Sequence, residues 1–195
     1  MNKRRANSRQ ANKSSGSIRI IAGRHRGRKL TVISADGLRP TTDRVKETVF
    51  NWLMPYIQDS RCLDCFSGAG SLGFEAISRG AEQVTMLELN NQACQQLKAN
   101  QQLLNESAIT VINTNTTEYL NQKATPFDIV FVDPPFRQQL TEQVTQLLAN
   151  GWLAENGLVY LEMEQEHGAI NLPSNWRLLK EKVAGQVRYC LFQAG

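Results

Sequence analysis

At 195 residues and 41% hydrophobic side chains, the chain fits one domain with a substantial core, which excludes a disordered chain or a mini-protein that needs staples. No apolar run approaches the roughly 18 residues of a membrane span, and residues 1–17 are polar and basic with no apolar stretch, which argues against secretion or membrane insertion. The net charge of +4 hides an asymmetry: Met1 to Lys46 carry 13 Lys or Arg against two acids, a net of +11, while the remainder carries nine against 16, a net of −7. A basic front of this kind on an acidic body attracts phosphate backbones through counterion release.

Residues 1–17 lack large apolar side chains beyond the first Met and are expected to form a disordered basic tail. Ile18, Ile20 and Leu30, Val32 then alternate with polar residues around Gly23-Arg24-His25-Arg26-Gly27. That pattern predicts a β-hairpin whose loop presents Arg24, His25, Arg26 and Arg28. After Asp36-Gly37, Thr42 or Asp43 is a suitable N-cap for a helix in which Val45, Val49, Phe50, Leu53 and Met54 recur at helical spacing up to Pro55. Residues 18–58 thus read as an N-terminal hairpin and helix extension, and 59–195 as the main domain.

From Arg61 onward short apolar runs alternate with amphipathic stretches. Strands are predicted at Cys62–Asp64, Val84–Leu89, Ile109–Ile112, Ile129–Val132 and Leu158–Met163, with a helix over Asn91–Leu104 that turns Ala93, Leu97 and Leu104 inward. This alternation implies an α/β fold with a parallel sheet covered on both faces. The tail differs. Trp176–Val183 and Gln186–Phe192 are separated by only Ala184-Gly185, too short for a helical crossover, so the last two strands form an antiparallel hairpin and the sheet is mixed and seven-stranded.

The chemistry gathers at strand ends. Gly68, Gly70 and Gly73 satisfy G-x-G-x-x-G between a strand and a helix, the context for a nucleotide-type cofactor, and the first two are expected to let backbone approach a ligand. Glu88 ends the next strand, 20 residues past Gly68, where an acid can accept from both ribose hydroxyls. Asp64 precedes the loop. A carboxylate there suits a cofactor bearing an ammonium group, such as S-adenosylmethionine, better than a pyrophosphate, or else it caps the glycine loop.

The segment Phe127–Phe136 is a buried strand that stops at Asp133-Pro134-Pro135-Phe136. The prolines stiffen the turn and leave carbonyls as acceptors. The Asp133 carboxylate and the Pro134 carbonyl can accept both N–H groups of an exocyclic amine, and Phe136 can stack on its base. Cys62-x-x-Cys65 has no second pair, so packing and not metal binding is expected of it, and four scattered cysteines fit a reducing cytoplasm. Neither histidine has a partner at metal-ligand spacing: His25 is expected to touch RNA, and His167, near Glu162, Glu164 and Glu166, to lie on the surface. Trp52, Trp152 and Trp176 are spaced like core or edge aromatics.

Across nearly its whole length the chain resembles the bacterial small-subunit ribosomal RNA guanine-N2 methyltransferases. The likeness rests on Ile18-Arg19-Ile20-Ile21-Ala22-Gly23-Arg24, Gly27-Arg28-Lys29-Leu30, Arg39–Glu47, Asp64–Gly70, Asp133–Phe136 and Glu181–Gln186. The Asp-Pro-Pro-Phe motif is shared with DNA adenine and protein-amide methyltransferases, whereas the N-terminal blocks are specific. The resemblance implies a class I, Rossmann-like methyltransferase fold and transfer of a methyl group from S-adenosylmethionine to N2 of guanine 966 in 16S ribosomal RNA.

It further implies a cytoplasmic enzyme, expected to be a monomer, acting on an assembling or assembled small subunit. Asp133, Pro134, Pro135 and Phe136 would be the catalytic set. Asp64, Phe66, Gly68, Gly70, Glu88, Leu89, Asn115, Thr116, Arg39, Thr41 and Thr42 would hold the cofactor, and Arg24, His25, Arg26, Arg28, Arg44, Lys46 and Arg137 the RNA. Asn115 departs from the Asp that related enzymes place after the third strand, so its contact to an adenine amine would be neutral. Two rivals are an adenine-N6 DNA methyltransferase, for which no target-recognition insertion is visible, and a non-catalytic RNA-binding assembly factor, which leaves Gly68, Gly70, Glu88 and Asp133 without work.

Overall fold

The computed structural model describes residues 16–33, 42–135, 140–165 and 170–195. It opens with an antiparallel hairpin of β1 (Gly16–Arg19) and β2 (Lys29–Val32), in which Ile18 pairs with Leu30. The first strand therefore begins at Gly16, inside the stretch read as a tail, and the rest of that tail lies outside the described residues. Helix α1 (Asp43–Leu53) is capped by the Thr42 side chain, which accepts the Val45 N–H at 3.4 Å. Val49, Phe50 and Leu53 are buried as their spacing predicts. Met54 is not: it ends the helix as its C-cap and is 69% exposed.

The main sheet is built from β3 (Arg61–Asp64), β4 (Gln83–Glu88), β5 (Ile109–Asn113), β6 (Phe127–Val132), β7 (Leu153–Glu164), β8 (Trp176–Ala184) and β9 (Val187–Ala194). Their order across the sheet is β5-β4-β3-β6-β7-β9-β8. Strands β3 to β7 are parallel, and β9 runs antiparallel to both β7 and β8. This is the predicted seven-stranded mixed sheet of a class I methyltransferase. Strand β7 is longer than predicted because Leu153 already pairs with Phe127 before a register shift brings Leu158 opposite Ile129.

Helices α2 (Ser71–Ser78) and α3 (Asn91–Leu104) pack with the hairpin and α1 on one face, and α4 (Thr116–Leu120) and α5 (Leu140–Leu148) lie on the other. Ile18, Ile20, Leu30 and Val32 of the hairpin share one hydrophobic cluster with Val49 and Phe50 of α1 and with Met86, Ile129 and Phe131 of the sheet. The chain winds outward from β3 to β4 and β5, then crosses back to β6 on the other side. The switch point thus falls between β3 and β6, where open α/β sheets hold ligands at their carboxyl ends. No helix among the described residues is long and apolar enough to cross a membrane.

Candidate active site

The glycine loop leaves β3 at the switch point. The Cys65 N–H donates to the Phe131 carbonyl at 3.0 Å and the Ser67 N–H to the Leu87 carbonyl at 2.9 Å, so the loop is pinned to both neighbouring strands. Gly68 and Gly70 have φ of 49° and 81°, the left-handed region that glycine enters without a Cβ penalty. Gly70 departs from the expectation of clearance for a ligand. A Cβ there would meet the Phe74 ring at 2.5 Å and Leu97 Cδ2 at 2.7 Å, so its requirement is core packing. At Gly73 a Cβ would meet Met86 Cε at 2.9 Å, which brings α2 close to β4.

Gly70 caps α2 without a side-chain acceptor. Asp64 supplies one from the end of β3, accepting the Phe66 and Gly73 N–H groups. The carboxyl is 2% exposed, and burial pushes its pKa up to about 7 against those stabilising hydrogen bonds, with the Glu88 charge adding to the rise. Glu88 closes the loop from the next strand: Oε2 accepts the Gly68 N–H at 2.8 Å and Oε1 the Asn90 N–H at 2.6 Å. Leu89 follows it and is 68% exposed, an apolar surface beside the loop. Phe66 is half-buried against the α4 side of the core.

After β5, Asn115 is the N-cap of α4, and its Oδ1 accepts the Thr117 N–H at 2.8 Å and the Thr117 hydroxyl at 2.7 Å. The oxygen proposed for an adenine amine already serves as a helix cap. The Thr116 hydroxyl is buried and donates to the Cys65 carbonyl, bracing the start of the glycine loop. Across the switch point, Asp133 is half-buried just beyond the end of β6, Pro134 is buried and Pro135 exposed. Phe136 and Arg137, like Arg39 and Thr41, lie outside the described residues; Thr42 caps α1.

The hairpin is docked beside this loop by residues that periodicity does not single out. Glu75, fully buried on α2, accepts the Ile21 and Ala22 N–H groups at 2.9 and 3.0 Å and pairs with Arg79 at 2.7 Å. The Ser78 hydroxyl donates to the Ala22 carbonyl at 2.6 Å, and a Cβ on Gly23 would sit 1.8 Å from the Ser78 carbonyl oxygen. The end of β2 lines a narrow cleft with Gly68, Ala69, Gln96 and Leu97, so the extension reaches the loop itself.

Several residues expected to face RNA also make contacts with the body. Arg24 grips Glu106 through a hydrogen bond of 2.9 Å from Nη2 and an ion-pair contact of 2.8 Å from Nε, and His25 Nε2 contacts the same carboxylate. Arg28 donates to the Leu103 carbonyl at the end of α3 at 3.1 Å, where a cation is favoured. Lys46 is a clear correction. It is 1% exposed, and its Nζ donates to the Arg19 carbonyl at 2.6 Å and pairs with Asp43 at 3.2 Å. Arg26 and Arg44 are exposed.

All four cysteines are buried and unbridged, and burial pushes Cys62 up to about 12 and Cys65 well above its usual range, so neither is a ready thiolate. No cluster of metal-ligating side chains occurs among the described residues. Glu162, near His167 in sequence, is buried, and His167 itself lies outside the described residues.

Residues 18–193 match the family described as Conserved hypothetical protein 95. The ribosomal RNA small subunit methyltransferase D of Escherichia coli is 54% identical over 180 residues, 92% of this chain and 91% of its own. That of Haemophilus influenzae is 54% identical over 183 residues, 91% and 94% of the two chains. The chain belongs to this methyltransferase D family. Among solved structures, yhhF from Escherichia coli superposes with a TM-score of 0.87 at 52% identity, covering 92% of this chain and 98% of its own. In this chain the glycine loop and the Asp-Pro-Pro turn follow the neighbouring strands β3 and β6, on either side of one switch point.

Proposed function

We propose that this protein transfers a methyl group from S-adenosylmethionine to the exocyclic N2 amine of a guanine, position 966, in small-subunit ribosomal RNA. The observation that carries this reading is the placement of Asp133 and Pro134 at the end of β6, next across the switch point from the Asp64 glycine loop. The residues present fit the cofactor. Asp64 is a buried carboxyl whose ionisation a neighbouring ammonium would favour, Glu88 is a strand-end acid for a ribose, and Leu89 offers an apolar face for a base. When bound, the cofactor supplies an electrophilic methyl on a sulfonium, which needs neither a metal nor a covalent enzyme intermediate.

The chain's own share is positioning. The Asp133 carboxylate and the Pro134 carbonyl accept the two N–H groups of the amine and aim its lone pair, and Phe136 stacks on the base. A base meets these acceptors only once it is extruded from its stack. Arg26, Arg44 and the tail cations Lys3, Arg4, Arg5, Arg9 and Lys13 supply phosphate contacts. The particle recognised is an assembling or assembled small subunit in the cytoplasm, and the enzyme acts as a monomer. The test is labelled methyl transfer to small subunits lacking the modification, followed by nucleoside mass analysis. Label in N2-methylguanosine is expected; label in an adenosine, or none, would overturn the reading.

A further inference from the structure

Strand β7 carries two polar side chains within its buried run, Tyr160 and Glu162. Tyr160 is fully buried and Glu162 is 7% exposed, and the phenol donates to Glu162 Oε1 at 2.5 Å. Phe131 pairs with Tyr160 and Val132 with Leu161, so the next step of the register brings Asp133 beside Glu162. Side chains alternate along strands, which puts Asp133 and Glu162 on the face that Phe131 and Tyr160 share. Burial, then the charges of Glu162 and Asp133, push the Tyr160 hydroxyl well above its ordinary range, so it stays a donor. On the far side Tyr189 of β9 pairs with Glu162 and is covered by Trp52, ring centroids 5.6 Å apart.

A buried polar pair is by itself weak evidence of a role in stability. Replacing buried polar partners with apolar groups of the same shape is commonly neutral or stabilising. The location suggests a different reason: a second carboxylate stands one strand from the acid that receives the target amine. We propose that Tyr160 and Glu162 are positioning residues that act on the reaction through Asp133, an inference that rests on the methyl-transfer reading above. As the amine nitrogen takes the methyl group it is cationic until one N–H proton passes to solvent, and the carboxylate accepting its N–H must hold one orientation. Glu162, fixed by a phenol that does not ionise, restricts Asp133 to that orientation and adds negative potential behind it. Glu162 itself does not touch the base.

The test compares the full-length wild type with Tyr160→Phe, Glu162→Gln and Glu162→Asp. Steady-state kinetics would use small subunits lacking the modification, with cofactor affinity followed by calorimetry and folding by thermal melts. Loss of the hydrogen bond in Tyr160→Phe, or of the carboxylate's charge with an acceptor oxygen kept in Glu162→Gln, should lower kcat about ten- to a hundredfold, with KM and cofactor Kd within about twofold of wild type. Glu162→Asp should recover part of the loss. In an Asp133→Asn background, Glu162→Gln should cost nothing further, because the residue it acts through is already disabled. Unchanged kcat in folded variants, losses confined to KM, or losses that multiply in the double variant would each overturn the proposal. An inactive wild type would instead overturn the methyl-transfer reading, and this one with it.

Discussion

Glu88 and Gly68 are joined across the mouth of the site: the carboxylate at the end of β4 accepts the loop N–H at 2.8 Å. The same side chain holds the Asn90 N–H, so one residue shapes the glycine loop and the start of the turn into α3. Glu88→Ala should therefore weaken S-adenosylmethionine binding by about 1.5–3 kcal/mol, combining the loss of the proposed ribose acceptor with a loosened loop. Glu88→Gln, which keeps one acceptor oxygen, should lose less. Calorimetry showing unchanged affinity in Glu88→Ala would return Glu88 to a purely structural role.

Asp133 stands on the other side of the switch point and should behave oppositely. In the proposed role, Asp133→Ala would remove a charge-assisted acceptor from the reacting amine and should slow transfer by about 2–4 kcal/mol, roughly thirty- to a thousandfold. Cofactor affinity should stay at the wild-type value. Single-turnover rates at saturating cofactor and RNA decide the matter, and near-normal turnover would sink the assigned role.

The sheet was readable because β3 to β6 are short apolar runs bounded by glycine and acid signals, and because Ala184-Gly185 leaves room only for a hairpin. The strand-end acids stand out for the same reason: Asp64, Glu88 and Asp133 each terminate an apolar run or directly follow one. What composition could not show is which cations face inward. Lys46 sits in a basic stretch, but its i,i+3 neighbour Asp43 and the Arg19 carbonyl take up its ammonium, a tertiary arrangement that local charge counting misses. Tyr160 and Glu162 did leave a signal, two polar residues at strand spacing inside an apolar run, which the periodic reading absorbed into a strand.

Asp64 makes a pH-dependent claim about the protein without cofactor. Its carboxyl titrates at about 7 in the fold. An unfolded aspartate titrates near about 3.9, so between about pH 4 and that value the native state binds more protons than the unfolded one. Stability should thus fall as pH rises through this window and level off above it. Asp64→Asn carries no charge and should remove that share of the slope, while binding S-adenosylmethionine less well. Melting temperatures of both proteins between about pH 5 and pH 8 are the measurement, and parallel curves would show that Asp64 is already ionised throughout.

Glu75 tests how the extension is held. Its carboxylate satisfies two hairpin N–H groups and Arg79 from a fully buried position on α2. Glu75→Ala leaves those donors unpaired and should destabilise the protein by about 3–5 kcal/mol in urea unfolding. Glu75→Gln, with one acceptor oxygen, should lose part of that. If Glu75→Ala unfolded at the wild-type urea midpoint, the hairpin would be held by its apolar contacts alone.

The basic front divides into cations that build the fold and cations that remain available to phosphate. Lys46→Ala should lower stability, because the Arg19 carbonyl and Asp43 lose a buried ammonium, and leave the salt dependence of RNA binding unchanged. Arg26→Ala and Arg44→Ala, at exposed positions, should do the reverse. Each phosphate contact they lose should flatten the slope of log affinity against log salt by about 0.7–0.9. Removing residues 1–15, with Lys3, Arg4, Arg5, Arg9 and Lys13, should flatten it further while cofactor binding and the choice of base survive. Binding of small-subunit RNA by each variant at several salt concentrations separates the two groups. A Lys46→Ala protein with wild-type stability and a flattened salt slope would mean that its ammonium reaches RNA after all.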